Sequence, residues 1–191
     1  FIKNRGVTDS WSVYYGDNTD YLVLDTATGT VDDATMWQDT TPTSTVWSIG
    51  TNHQVNADGE NYIAYCFANS QFISVREFLG NENTNGPFVS TVNSLGVPIQ
   101  PTFVMIKNMS KSRSWNVWDN KRSPFNVSQN LLEWDFVQTE QTGSTYFIDI
   151  VTGGFKPRGT HETINGAEQM LYFAMGSPII DTSGRIIAGK L

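Results

Sequence analysis

The apolar positions of this chain come in short runs rich in β-branched and aromatic residues. Tyr21-Leu22-Val23-Leu24, Ser44-Thr45-Val46-Trp47-Ser48-Ile49, Pro101-Thr102-Phe103-Val104-Met105-Ile106 and Tyr146-Phe147-Ile148-Asp149-Ile150 are typical. Turn-forming residues separate them, as in Gly16-Asp17-Asn18, Asp58-Gly59, Asn85-Gly86-Pro87 and Gly153-Gly154. β-Branched and aromatic side chains suit a pleated, half-buried surface, and Gly, Asn, Asp and Pro suit tight turns. Closely spaced strands of this kind predict an all-β chain, folded as a sandwich or barrel. No window of about 11 residues carries an apolar period of 3.6. Helix is therefore limited to single turns near Asp32-Asp33-Ala34-Thr35-Met36 and Asn126-Val127-Ser128-Gln129-Asn130.

One pattern is used twice. Ile2-Lys3-Asn4 returns as Ile106-Lys107-Asn108, and Trp11-Ser12-Val13-Tyr14 as Trp115-Asn116-Val117-Trp118 at the same offset. Gly50-Thr51 followed by Val55-Asn56 returns as Gly159-Thr160 followed by Ile164-Asn165. A glycine (Gly59, Gly166) and an apolar strand (62–68, 170–176) follow in each case. Agreement of ordered blocks indicates two copies of one supersecondary unit, at about 1–80 and 81–176. Neither copy can bury its apolar face alone. The expected fold is an antiparallel β-sandwich, jelly-roll or lectin-like, built from two sequence-similar halves.

Strand alternation places Trp11 with Val13 and Trp115 with Val117 on one face, and Ser12 with Tyr14 and Asn116 with Trp118 on the other. Trp11, Val13, Trp115 and Val117 are expected in the core; an exposed sugar platform at Trp11 and Trp115 is the rival. Phe1-Ile2-Lys3-Asn4 matches only the second half of the strand at 101–108, so the domain is expected to continue upstream of Phe1. The tail, 177–191, carries two apolar pairs, Ile179-Ile180 and Ile186-Ile187, around Asp181-Thr182-Ser183-Gly184. It reads as a hairpin that adds to a sheet edge, either of its own domain or of a neighbouring subunit.

Composition narrows the function classes. The chain has 191 residues, long enough for a sizeable core. Only 16% of them are charged, and the net charge is −7. A duplex nucleic-acid binder would show a basic footprint instead. No apolar run reaches the ~18 residues of a membrane-spanning helix. The lone Cys66 lies in an apolar run and is expected to be a buried small hydrophobe. His53 and His161 read as polar loop residues. There is no nucleophile elbow, phosphate loop or zinc spacing. Asp25, Glu133, Asp135 and Asp149 flank or lie in strands, with no spacing that pairs them for glycoside hydrolysis. Asp17-Asn18-Thr19-Asp20, Asp32-Asp33 and Asp58-Gly59-Glu60 offer hard oxygen ligands of the sort calcium takes, but none follows the twelve-residue EF-hand pattern, so no cofactor is expected, with calcium the alternative.

Ile2-Lys3-Asn4-Arg5, Trp11-Ser12-Val13-Tyr14, the stretch 59–68, the loop 80–85 with Gly86-Pro87-Phe88-Val89, and Gly154-Phe155-Lys156-Pro157-Arg158-Gly159-Thr160 with Ile164-Asn165 resemble a β-rich domain of marine tailed phages. That domain occurs in tail-fibre and other virion-appendage proteins. The resemblance covers residues 1 to about 176 and carries no catalytic residues with it. It implies a virion structural protein, a tail-fibre, head-decoration or appendage module on the outside of the particle. Its partners would be other virion proteins, further copies of itself and a host-surface glycan. The resemblance brings no catalytic residue set, so no enzyme activity is expected; the charge and the short apolar runs argue against nucleic acid and membrane insertion. The alternative is a carbohydrate-binding module, with Trp37, Trp118 and Trp134 as stacking residues beside Asn and Asp loops. A glycan-cleaving enzyme stands third and requires two carboxyl groups facing each other across a groove.

Overall fold

In the computed structural model, which describes residues 1–92, 96–142, 145–180 and 183–184, the chain is built from antiparallel β-strands with a few single-turn helices. Its contacts divide it into two compact units. The first is Phe1–Cys66 with Met109–Arg113, and the second is Phe67–Asn108 with the chain from Ser114 onward.

The first unit holds β1 (Ile2–Asn4), β2 (Ser12–Val13), β3 (Asp20–Val23), β4 (Val31–Asp32) and β5 (Tyr62–Ala64), in the sheet order β4-β3-β2-β1-β5. Two one-turn helices, α1 (Ala34–Trp37) and α2 (His53–Asn56), complete it. Each helix starts where a side chain satisfies an orphan amide. Asp33 accepts from the Thr35 N–H at 2.8 Å, and Asn52 from the Gln54 N–H at 2.9 Å. A left-handed Gln38 (φ 56°) ends α1. The core joins Ile2, Tyr21 and Val23 of the sheet to Met36, Trp37 and Val55 of the helices. Segment 109–113 belongs here because the Thr30 N–H donates to the Met109 carbonyl at 2.8 Å.

The second unit has two sheets. β6 (Ile73–Leu79), β8 (Ile99–Asn108), β9 (Asn116–Asp119), β10 (Leu132–Glu133) and β13 (Gln169–Pro178) form one, in the order β10-β9-β8-β13-β6. β7 (Val89–Ser90), β11 (Ile148–Val151) and β12 (Gly154–Pro157) form the other, ordered β11-β12-β7. Period-2 alternation sends Val104, Ile106, Trp118, Met170, Tyr172 and Ala174 of the first sheet toward Val89, Ile148 and Phe155 of the second. Leu131 and Ile164 fill the same core, Ile164 from the one-turn helix α3 (Glu162–Asn165). Phe155 meets Tyr172 edge-on at 5.3 Å between ring centroids. The register of β13 on β8 shifts at Gly176, where an added Cβ would lie 1.9 Å from the Gln100 carbonyl oxygen.

The structure amends several expectations. A helical turn forms near 32–36 as expected, but none forms at 126–130; Ser128 there exchanges backbone bonds with Ile148 instead. Trp115, Val13 and Val117 are buried, as alternation required, whereas Trp11 is only half-buried and stacks on Tyr65 at 6.0 Å. Trp118, expected on the face away from the core, sits in the largest core, so β9 is buried on both faces. Cys66 is exposed, because it lies just past the end of β5, the edge strand of its sheet. The start of the tail continues the pairing of its own unit: Pro178 lies opposite Ile99, and the Ile179 N–H donates to the Pro98 carbonyl at 3.1 Å. Ile180 is exposed; Ile186 and Ile187 lie outside the described residues.

Each unit also contains the same local bonds. Ile2 pairs with Ser12, and Ile106 with Asn116. The Trp11 amide donates to Asp25 at 3.0 Å, and the Trp115 amide to Asp135 at 2.8 Å. The Leu24 amide returns to the Trp11 carbonyl at 3.0 Å, and the Trp134 amide to the Trp115 carbonyl at 2.9 Å. Asn56 Nδ2 closes α2 onto the Gly50 carbonyl at 2.9 Å, and Asn165 Nδ2 closes α3 onto the Gly159 carbonyl at 2.8 Å.

Candidate functional site

Leu132, Trp134 and Phe136 alternate in sequence with Glu133 and Asp135. Alternation of this kind ordinarily buries the apolar set. Here β10 is a two-residue edge strand and the chain turns away from the sheet after it. Leu132 is 39% exposed, Trp134 58% and Phe136 61%, and Val137 projects fully into solvent. Two backbone anchors hold the turn. The Trp134 amide is bound to Trp115, and the Asp135 carboxylate accepts from the Trp115 amide. Gln138 Nε2 donates to Glu133 Oε2.

Arg122 fixes the longer excursion of which this turn is part. Its guanidinium reaches Asp119 at 2.6 Å, Glu140 at 3.1 Å and the carbonyls of Asn130 and Val117, each at 3.1 Å. Burial opposes ionisation of Asp119, but the amides and guanidinium of Arg122 and the amide of Lys121 together hold its pKa below the ordinary value. Phe125, 82% exposed, stands on the same excursion. The sequence reading found Trp134 but missed Phe125, Phe136 and Val137. The apolar–acidic alternation over 132–136 was their available signal.

The other two stacking candidates are corrected. Trp37 is 2% exposed and donates its indole N–H to the Asp20 carbonyl at 3.0 Å; Trp118 is wholly buried. Neither can present a ring face to a sugar. The candidate acids are likewise engaged. Asp25 and Asp135 fix tryptophan amides, and Asp149 pairs with Arg158 at 2.6 Å. Glu133 is held above the usual carboxyl range by partial burial first and the neighbouring Asp135 charge second.

Two of the acidic loops spend carboxylate oxygens on their own turns. Asp17 accepts from the Thr19 amide at 2.9 Å and hydroxyl at 2.7 Å, and Asp33 caps α1 while accepting from Asn52 at 2.9 Å. Among the described residues no group of three His, Cys, Asp or Glu is placed to hold a metal ion. His53 lies exposed, 3.5 Å from Asp9. His161 is not a free loop residue: it caps α3 by accepting from the Thr163 amide at 3.2 Å, and packs edge-on against Tyr146 at 4.5 Å.

Behind the turn lies Lys107, wholly buried, its Nζ 5.9 Å from the centre of the Trp115 ring. Burial pushes its pKa from 10.5 down to about 8, against the opposing pull of Asp135. Between those values the unfolded chain binds more protons than the folded one, so stability rises with pH. Burial raises the Tyr172 pKa above 10.0, so its titration acts in the opposite sense at the top of the range. Denaturant unfolding is therefore expected to show stability climbing from about pH 8 toward pH 10, and Lys107→Met should flatten that climb. An equal climb in both proteins would assign it to another group.

A family model described as Domain of unknown function (DUF7483) matches residues 1–177, and the chain belongs to that family. No curated protein matches it, and neither does any solved structure. Among the described residues no helix is long and apolar enough to cross a membrane.

Proposed function

We propose that the chain is a structural module of a tailed-phage particle, a tail-fibre, head-decoration or appendage module serving assembly and host-surface attachment rather than catalysis. The observation that carries this reading is the division of labour among its side chains. Asp25, Asp135 and Asp149 are spent on fixing backbone and Arg158, while Trp134 and Phe136 of the turn 134–137 stand exposed. The phage context comes from the resemblance of the motifs at 2–5, 11–14, 59–68, 80–89 and 154–165. On this reading the domain is a duplicated one, a lectin-like or jelly-roll sandwich of two sequence-similar halves. The matched registers of β1–β2 and β8–β9 and the paired bonds of Asn56 and Asn165 support the duplication. The module sits on the outside of the particle among other virion proteins and further copies of itself. Mass spectrometry and antibody labelling of purified particles test it: the chain is expected on the particle surface, and its absence from particles ends the reading.

A second reading, a glycan-binding module, is favoured by Trp134, whose ring is exposed while its backbone is pinned. An aromatic held this way presents a stacking face at little entropic cost. Trp134→Ala is expected to weaken binding to host-surface polysaccharide by about tenfold or more, equivalent to about 1.4 kcal/mol, with unfolding unchanged. Undiminished binding would remove the turn from recognition.

A further inference from the structure

β5 closes one side of the first unit's sheet, and no strand pairs with its outer edge among the described residues. Its counterpart in the second unit, β13, is paired on both sides, by β8 and by β6. The hydrogen-bonding sense of β5 is fixed by its inner neighbour. Tyr65 and Phe1 exchange both backbone bonds, each at 2.9 Å, and the Arg5 amide donates to Asn61 at 2.8 Å. The odd residues therefore face β1, and the amides and carbonyls of Tyr62, Ala64 and Cys66 point outward. The stretch Tyr62-Ile63-Ala64-Tyr65-Cys66 has no charge and no proline. Ala64, Tyr65 and Cys66 are exposed.

Natural proteins guard such edges with charge, proline or caps. The edge of β6 carries these guards: Asn69 takes the outward Val75 amide at 2.7 Å, and the Ser70 amide takes the Ile73 carbonyl at 2.9 Å. Its other outward groups are the Ile73 amide, the Val75 carbonyl and those of Glu77 and Leu79. Two-fold pairings about Arg76 or Glu77 set like charges face to face, which repels, whereas no register of 62–66 brings charges together. β5 has no such guard, and its pattern is self-complementary. Antiparallel pairing about Ala64 sets Ala64 opposite Ala64, Tyr62 opposite Cys66 and Ile63 opposite Tyr65. Every outward amide then finds a carbonyl, and the aliphatic and aromatic side chains cover one another.

We propose that the outer edge of β5 is an assembly surface whose occupant is the same edge of a second copy of this chain, joining the two sheets across a two-fold axis. The proposal stands apart from the phage reading, because it concerns the isolated chain and a different surface from the 134–137 turn. Its one cysteine provides the reporter. Sedimentation of the full chain over a concentration series is expected to show a monomer–dimer equilibrium, and a bis-maleimide long enough to span the ~13 Å between the two Cys66 positions is expected to link them in the dimer. Ala64→Lys places like charges face to face at the axis. It should weaken association by at least about tenfold and abolish the cross-link, with an unchanged circular-dichroism spectrum. Ala64→Pro removes the outward amide, leaves the β1-facing bonds of Tyr65 to Phe1 in place, and should do the same. A chain that stays monomeric throughout overturns the proposal, as does a dimer indifferent to both substitutions. So does a dimer lost only when the chain is ended at Ile180, since the occupant would then be the tail.

Discussion

Replacing Trp118 with alanine is expected to destabilise the second unit by roughly 3–5 kcal/mol, the usual cost of removing a large aromatic from a packed core. That is a large share of the ~5–15 kcal/mol that holds a typical domain folded. Trp118 is wholly buried and shares its core with Val104, Ile106, Tyr172 and Phe155, drawn from both sheets of the unit. No single neighbour can collapse into the space it leaves. Its indole Nε1 is buried without a hydrogen-bond partner among the described residues. Trp118→Phe keeps most of the ring while removing that orphan donor, so it should cost far less than alanine. Chemical denaturation followed by near-ultraviolet circular dichroism separates the three proteins. A Trp118→Ala loss below about 1 kcal/mol would mean that the indole contributes little to the packing.

The same residue shows where sequence reading succeeds and where it stops. The Trp-x-Val-aromatic alternation correctly placed Trp115 and Val117 in the interior, because a strand's side chains must alternate. It could not rank the two faces of β9, because both are buried and the pattern is then apolar on both sides. Asn56 and Asn165 were legible as repeated letters, and they make equivalent local bonds; the like roles of Asp25 and Asp135 were not, because they stand at different distances from the tryptophans whose amides they fix. The two later one-turn helices were not legible. Four residues carry no period, and their caps, Asn52 and His161, resemble ordinary loop residues. The candidate site was half legible. Trp134 was nominated as one of three tryptophans, but composition gave no means of separating it from Trp37 and Trp118. What separates them is tertiary: a core closes over two of the rings, and the chain leaves the sheet just before the third.

Asn165→Ala is expected to cost about 2–4 kcal/mol through stranded buried polar groups, more than Asn56→Ala, because Asn165 is wholly buried whereas Asn56 is exposed. The comparison is controlled by the fold itself, because each asparagine ends a one-turn helix and each donates to a glycine carbonyl six residues back. Asn165 does more. Its Nδ2 also reaches the Asn83 carbonyl at 2.8 Å and Asn81 Oδ1 at 3.1 Å. Its Oδ1 accepts from the Asn81 amide at 3.0 Å, and its own carbonyl from the Glu82 amide at 2.8 Å. One buried side chain thus holds the exposed loop 81–85 onto α3. Alanine leaves the buried Gly159 carbonyl without this donor, while water can reach the loop groups; the excess cost over Asn56→Ala is therefore moderate. The sharper signature is local. In Asn165→Ala the Asn81 and Glu82 amides should exchange hydrogen faster under native conditions, because the loop opens without global unfolding. In Asn56→Ala they should keep their wild-type rates. Equal protection of those two amides in all three proteins would show that the loop is held by its own turns and not by Asn165.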